Sequence, residues 1–344
     1  MTGLPESGLP ESGLPGGGSP GSGRAVQRLL HLGNVVVDIV LDLPALPDRG
    51  GDVLASRTGL APGGGFNVMA AAARQGLPVA HAGPLGTGPL ASLARRGLAA
   101  EGIEVLLPPR PGLDTGFVVT MVEPSGERTF LTSPGAEATL TAADLATVTA
   151  APADAIYLSG YGLVHPANRD ALAGWLAGLA GGNLVIFDPG PLLRSIPRGV
   201  LAATASRADW VTCNAREAAE LSGQPGPAAA LRALSRHPPW TARPGQGVLV
   251  RTGPAGCLLA HVQTEPIVVG GFPVTALDTN GAGDTHTGVF IAALASGLDE
   301  VAAARRANAA AALSVTRRGP ATSPTAGELA RFLSHQSSNG SSRN

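Results

Sequence analysis

Asp278-Thr279-Asn280-Gly281-Ala282-Gly283-Asp284-Thr285-His286-Thr287-Gly288 stands near the C-terminal end of the chain, just ahead of an apolar helical pattern. The three small residues Gly281, Ala282 and Gly283 let the backbone turn tightly and bring its N–H groups together at a helix start, where the macrodipole also favours an anion. Asp284 then closes the turn at the first helical residue, where its carboxylate faces the same hollow and can accept a proton. A plainer reading takes Asp284 as the N-cap of an ordinary loop-to-helix turn, and the tetrapeptide alone does not separate the two.

Composition narrows the setting. The 344 residues, 44% hydrophobic and 14% charged, can fill one large α/β domain or two ordinary ones. A formal charge of −1 without a basic run, together with 3% aromatic residues, argues against a nucleic-acid surface. Cys213 and Cys257 are far apart and lack metal-type spacing, so they read as buried small apolar residues in a reduced, cytoplasmic protein. No apolar run reaches the roughly 18 residues of a spanning helix, and no basic start with an apolar core marks a secretory signal. No membrane partner is expected.

Residues 1–24 repeat Gly-Leu-Pro-Glu-Ser and then run as Gly, Ser and Pro, a composition predicted to form a disordered tail; residues 337–344 read the same way. Between them, residues 25–336 read as one domain. It opens on Leu29 to Asp38, a near-continuous apolar run expected to form one strand covered on both faces, with Asp38 at its ligand-facing carboxyl end. Pro62-Gly63-Gly64-Gly65-Phe66-Asn67 is a glycine turn opening a helix, where Asn67 offers a donor and an acceptor to hydroxyls. It lacks the Gly-Lys-Ser/Thr ending of a P-loop.

Thr115 to Leu131 reads as a hairpin, which with residues 40–60 could form a β-lid over a pocket. Further strands are expected at Ala155–Leu158, followed by a loop at Ser159-Gly160-Tyr161-Gly162, and at Leu184–Asp188, Trp210–Cys213 and Gly247–Arg251. Helices between them imply a parallel sheet with right-handed crossovers. Asn214 and Glu217 fit a capping box and also have the chemistry to hold Mg²⁺ through water. Thr252 and the Gly253 backbone suit nucleotide contact, and Asn308 falls on an Ala-rich helix behind the Asp278–Gly288 stretch.

In order along the chain, Gly33 to Asp38, Gly63-Gly64-x-x-Asn67, Gly126-Glu127-Arg128-Thr129, Asn214-x-x-Glu217, Thr252-Gly253-x-x-Gly256 and Asp278 to Gly288 resemble the motif series of the ribokinase/PfkB carbohydrate kinase family. The resemblance runs from about Leu29 to Phe332. It implies an α/β fold, a three-layer αβα sandwich with a mostly parallel central sheet and a small β-sheet lid at about 40–60 and 113–132. It implies an ATP-dependent kinase acting on a hydroxyl of a sugar or sugar-like molecule. Asp284 would be the general base and Gly281, Ala282 and Gly283 the anion hole. Asp38, Gly64 and Asn67 would hold the sugar. Thr252, Gly253, Gly256, Asn308 and Asn214 would meet the nucleotide, with Asn214 and Glu217 at Mg²⁺. Asp278, Asn280, Ser314, Arg317, Gly319 and Ser323 fall where family members hold a monovalent cation such as K⁺, largely through backbone carbonyls. A homodimer through the lid is implied too.

Several positions depart from the pattern. Val36 stands where the ribokinase pattern has Asn, and Ser159-Gly160-Tyr161 where it has Glu, so two ribose hydrogen bonds are expected to be missing. The loop Gly86-Thr87-Gly88-Pro89 lacks an Asp common in the family. Asn280 replaces the commoner Thr. His286 replaces Phe, either as a satisfied polar helix residue or as a group near the substrate. An adenosine-like nucleoside kinase is the nearest rival, with Phe117, Phe130 and Tyr161 as its apolar lining. A catalytically silent nucleotide or sugar sensor is another. A dinucleotide oxidoreductase would need a GxGxxG after the first strand, which is absent.

Overall fold

A computed structural model describes residues 26–240 and 243–341, with side chains to Gln336. The predicted tail at 1–24 lies outside the described residues. Among the described residues thirteen strands form in chain order: β1 (Arg28–Leu32), β2 (Val35–Asp42), β3 (Arg57–Gly64), β4 (Val79–His81), β5 (Glu104–Val105), β6 (Phe117–Val122), β7 (Arg128–Ser133), β8 (Asp154–Ser159), β9 (Leu184–Asp188), β10 (Trp210–Asn214), β11 (Gly247–Arg251), β12 (Gly256–His261) and β13 (Ile267–Gly270). Nine of them build one sheet in the order β13-β12-β11-β10-β9-β8-β1-β4-β5. It is parallel from β5 to β11 and antiparallel at β12 and β13.

Alternate residues of the central strands feed two separate cores, as a period of two requires. Leu29, Ala155, Tyr157, Ile186 and Leu249 pack on one face. Helices Gly65–Ala73, Pro89–Ala100, Ala282–Ala295 and Glu300–Ser314 cover that side with Met69, Leu98, Phe290 and Ala307. Leu30, Ile156, Leu158, Phe187 and Val248 face the other way, under helices Pro166–Ala177, Arg198–Arg207 and Pro227–Arg236. Burial on both faces is why these strands read as unbroken apolar runs. No described helix is long and apolar enough to cross a membrane.

The run Leu29 to Asp38 is two strands rather than one. The chain leaves the large sheet after Leu32, breaks at Gly33-Asn34, and enters a four-stranded sheet ordered β3-β2-β6-β7. The Gly65 N–H bonds the Asn34 carbonyl at 2.9 Å and fixes the break. Hydropathy does not register it because Val35 and Val37 are as buried as Leu29 and Leu30. Asp38 therefore stands inside the small sheet rather than at the carboxyl end of a central strand. That sheet takes more of the chain than the segments at about 40–60 and 113–132, since β2 begins at Val35 and β3 ends at Gly64.

Three other expectations change. Gly160–Val164 is a short helix, with Ser159 Oγ accepting from the Tyr161 N–H at 3.2 Å, rather than a loop. β12 and β13 form an antiparallel edge not anticipated from the sequence; β13 is mostly exposed, so it lacks the buried-strand signature. The last helix, Ala326–Ser341, continues past Ser337, where a tail was predicted. Extending a formed helix by a residue is far easier than nucleating one.

Candidate active site

Helix Ala282–Ala295 begins six residues before the apolar pattern that announced it at Gly288. Gly281 is its N-cap, at φ 72, and a Cβ there would lie 2.0 Å from the Pro320 carbonyl oxygen. Only glycine fits that left-handed, crowded position. Asp284 is therefore the third residue of the helix, neither its first residue nor its cap. Freed from capping, its carboxylate accepts a hydrogen bond from Asn67 Nδ2 at 3.0 Å. Among the described residues the Gly283 and Asp284 N–H groups meet no acceptor, while that of Ala282 leans back to the Thr279 carbonyl at 3.4 Å. The first turn thus leaves donors open for an anion.

Two cavities meet at this turn. One, of about 370 Å³, lies between the two sheets and is lined by Asp38, Gly64, Asn67, Phe130, Tyr161 and Asp284. The other, of about 580 Å³, is bordered by Gly253, Gly256, Phe272, Ala282, His286 and Asn308. Asn214, Arg251 and Gly283 line both. Successive residues of one turn therefore face different chambers: Ala282 the larger, Gly283 both, Asp284 the smaller.

The smaller cavity has unmet polar atoms. Asp38 is 8% exposed and finds no hydrogen-bond donor among the described residues; Asn34 Oδ1 and Asn67 Oδ1 are buried without partners. Such atoms call for hydroxyl donors from a ligand. Gly63 of β3, paired with Val36 and so diagonal to Asp38, makes the room: a Cβ on it would come within 2.3 Å of the Asp38 carboxyl. Burial, then the charge of Asp284, pushes the Asp38 carboxyl up to about 7. Burial raises Asp284 to about 6, opposed by the Asn67 hydrogen bond. Ser159 and Asp188 also line this cavity, and so does Tyr161, as the nucleoside-kinase rival expected. Phe117, one of the three aromatic residues weighed for it, is not in the lining.

These shifts have a sign. A carboxyl whose folded-state value exceeds its unfolded value of 3.8 favours folding below that value, and the benefit is lost as pH rises through about 7 for Asp38. Asp38→Asn is therefore expected to match wild-type stability near pH 4 and exceed it increasingly up to pH 8, by up to about 4 kcal/mol. A rate that depended on ionised Asp284 would move opposite to wild-type stability, rising through about pH 6. Thermal melts of both proteins across pH, beside a pH–rate profile, check the pair.

At the junction of the cavities, Asn214 and Glu217 do form the capping box: the Glu217 N–H donates to Asn214 Oδ1 at 2.9 Å and the Asn214 N–H to Glu217 Oε2 at 2.8 Å. Burial, then Asp188, raises the Glu217 carboxyl. Thr252 turns its hydroxyl to the Gly256 carbonyl at 2.9 Å and is not in the lining. Gly253 and Gly256, at φ 64 and φ 100, are. Asn308 donates to the Val269 and Gly270 carbonyls at 3.0 and 3.2 Å, and its Oδ1 receives His286 Nε2 at 3.0 Å. That bond makes Nε2 the protonated nitrogen and leaves Nδ1 buried without a partner. Burial and Arg251 push His286 down to about 3, so it stays neutral.

Asp278, Asn280 and Gly319 come together. Asp278 Oδ1 accepts from Arg128 Nη2 at 2.7 Å and the Asn280 N–H at 2.9 Å, and Oδ2 from the Gly319 N–H at 2.9 Å. The Ser314 carbonyl takes the Thr322 hydroxyl at 3.0 Å, and Arg317 is paired with Glu328 at 2.6 Å. Ser323 Oγ is buried and unpartnered.

Sequence reasoning gave no site role to Asp188, Arg251 or Arg128, although Arg128 stands in one of the quoted motifs. The rule that singled out Asp38, a charge at the carboxyl end of a buried strand, would have found Asp188 at the end of β9 and Arg251 at the end of β11.

The pfkB family carbohydrate kinase model matches residues 27–326. The uncharacterized sugar kinase YegV of Escherichia coli is 33% identical over 311 residues, covering 90% of this chain and 94% of that protein. Ribokinase of Haemophilus influenzae is 28% identical over 311 residues, covering 88% and 97%. Among solved structures, the fructokinase of Vibrio cholerae with fructose, ADP and calcium bound superposes with a TM-score of 0.73 at 25% identity, covering 90% of this chain and 99% of that one. A family match along nearly the whole folded chain, over two adjoining cavities of which the smaller lies between the two sheets, makes this protein an ATP-dependent kinase of the pfkB carbohydrate kinase family.

Proposed function

We propose that the protein transfers the γ-phosphoryl group of ATP to a hydroxyl of a sugar or sugar-like polyol, with Asp284 as general base and the Gly281–Gly283 turn as anion hole. One observation carries this reading: Asp284 lines the smaller cavity while Ala282 and Gly283, immediately before it, line the larger. An acceptor in the first and a nucleotide in the second would meet across the donors of one helix start. The partnerless Asp38, Asn34 and Asn67 atoms suit the hydroxyls of a polyol, and the small sheet over them would act as a lid that keeps water out. The names of the relatives, a sugar kinase, a ribokinase and a fructokinase crystallised with fructose and ADP, agree with this reading.

The donor set fits magnesium, which takes few protein ligands and keeps several waters: Glu217 has one carboxylate oxygen outside its capping bond, and Asn214 lies beside it. Bound there, the ion would offset charge on the phosphates. The buried, unpartnered Ser323 hydroxyl, one residue after the Thr322 that bonds the Ser314 carbonyl, fits K⁺. Two buried free thiols fit a cytoplasmic setting. Leu60 and Leu131, over half exposed on the small sheet, support a homodimer through the lid.

An ADP-release screen over pentoses, hexoses, keto acids and nucleosides, with Mg·ATP and K⁺, tests the proposal. At least one acceptor is expected to give ADP and phosphorylated product in equal amounts. ADP without phosphorylated acceptor, or none above the solvent rate with any acceptor, would contradict it.

A further inference from the structure

Arg251 ends β11 beneath the junction of the two cavities, and no role has been given to it so far. Its Nη1 donates to Asp188 Oδ2 at 2.9 Å and to Thr287 Oγ1 at 3.0 Å. These two bonds use both Nη1 protons. A guanidinium has five N–H donors, so the Nε–H and the two on Nη2 remain. Glu217 Oε2, at 3.9 Å from Nη2, is too far to hydrogen-bond it. None of the three meets an acceptor among the described residues. The side chain keeps 13% of its surface exposed, so these donors open into the cavities.

The position of these open donors is specific. A Cβ built on Gly283 would lie 3.5 Å from Nε, so the guanidinium rests against the anion-hole turn itself. It lines both chambers, as only Asn214 and Gly283 also do. Among the described residues lining the smaller cavity it is the one cation, set among Asp188, Glu217, Asp284 and Asp38. Of the charged side chains at that junction the others are carboxylates, which repel a phosphoryl group.

We propose that Arg251 is a catalytic residue of the transfer, its Nε–H and Nη2–H groups bonding the oxygens of the phosphoryl group in flight. The proposal rests on the transfer reading above. In that step the acceptor oxygen forms a bond to the γ-phosphorus as the bond from that phosphorus to the β–γ bridging oxygen breaks. The hydroxyl proton goes to Asp284, and ADP leaves with the bridging oxygen. Arg251 neither gains nor loses a proton. It offsets charge that spreads over the equatorial oxygens, as an arginine supplied within the chain can. Asp188 and Thr287 hold its plane so that little reorganisation is needed.

Arg251→Met, Arg251→Lys and Arg251→Ala are compared with wild type, using the acceptor found in the screen. The Met variant is expected to lose about 10³-fold in kcat with acceptor KM within about threefold. Lysine should recover at least about tenfold of that loss, and millimolar guanidinium ion should raise the kcat of the Ala variant saturably. Binding is read separately by calorimetry. ADP with aluminium fluoride, which mimics the group in flight, should bind the Met variant about 100-fold more weakly than wild type, and ADP alone within about threefold.

If Arg251→Met does not fold, Asp188→Asn combined with it removes both charges of the pair and takes its place. A kcat within about threefold of wild type, or equal loss of ADP and ADP–aluminium fluoride affinity, would overturn the proposal. Wild-type turnover tests the transfer reading, whereas the variant-to-wild-type ratios and the binding pair test Arg251, so the two fail separately.

Discussion

Asp284→Asn is expected to lower kcat by about 10³-fold while leaving nucleotide affinity within about threefold of wild type, measured by steady-state kinetics and by ADP calorimetry. The substitution is nearly isosteric, and the new amide oxygen can still accept from Asn67, whose Nδ2 bonds the wild-type carboxylate at 3.0 Å. The turn and its N–H groups should stay in place, because Gly281 rather than Asp284 caps the helix. What disappears is the group proposed to take the hydroxyl proton. A second readout follows from electrostatics: Asp284 helps hold the Asp38 carboxyl up at about 7. Its carboxyl carbon resonance in the Asn variant should titrate at a lower pH than in wild type. A variant that kept full turnover would remove the general base from the mechanism.

Gly281→Ala should be nearly as damaging, by a different route. At φ 72, an L side chain costs roughly 1–2 kcal/mol before any contact is considered. Here the added methyl would also sit 2.0 Å from a backbone oxygen, that of Pro320, which cannot turn aside as a side-chain tip can. The turn must move, and Ala282, Gly283 and Asp284 move with it. Displacement of a reacting group by about 1 Å can cost on the order of 10²-fold in rate. The expected result is at least that loss in kcat/KM, with a stability decrease of about 2–3 kcal/mol by urea denaturation. Wild-type rates in this variant would show that the turn is not the anion hole.

Much of the site was legible because its chemistry is local. The spacing from Asp278 to Gly288 put the turn, the helix start and the acid in one place. The α/β alternation announced a parallel sheet. What escaped depends on contacts across the fold. Whether Asp284 caps its helix or reaches Asn67 is decided by Pro320, which forces glycine into the cap position and lies far along the chain. The division of Leu29–Asp38 between two sheets left no trace in hydropathy, since both halves are buried.

Thr252 was singled out for its hydroxyl, yet the neighbouring Arg251 is the side chain in the cavities. Strand alternation sends adjacent residues to opposite faces, and one sequence does not say which face is open. The cation-site residues show the same limit. Asp278 carries Arg128 from β7 on its carboxylate, a pairing across 150 positions that no local pattern encodes.

Crystals grown with ADP and the acceptor identified by the screen test the central claim most directly. The account predicts the diphosphate tail in the larger cavity over the Gly281–Gly283 donors, and one acceptor hydroxyl within about 3 Å of an Asp284 oxygen. An acceptor bound with no hydroxyl near that carboxylate, or a diphosphate held away from the turn, would contradict it.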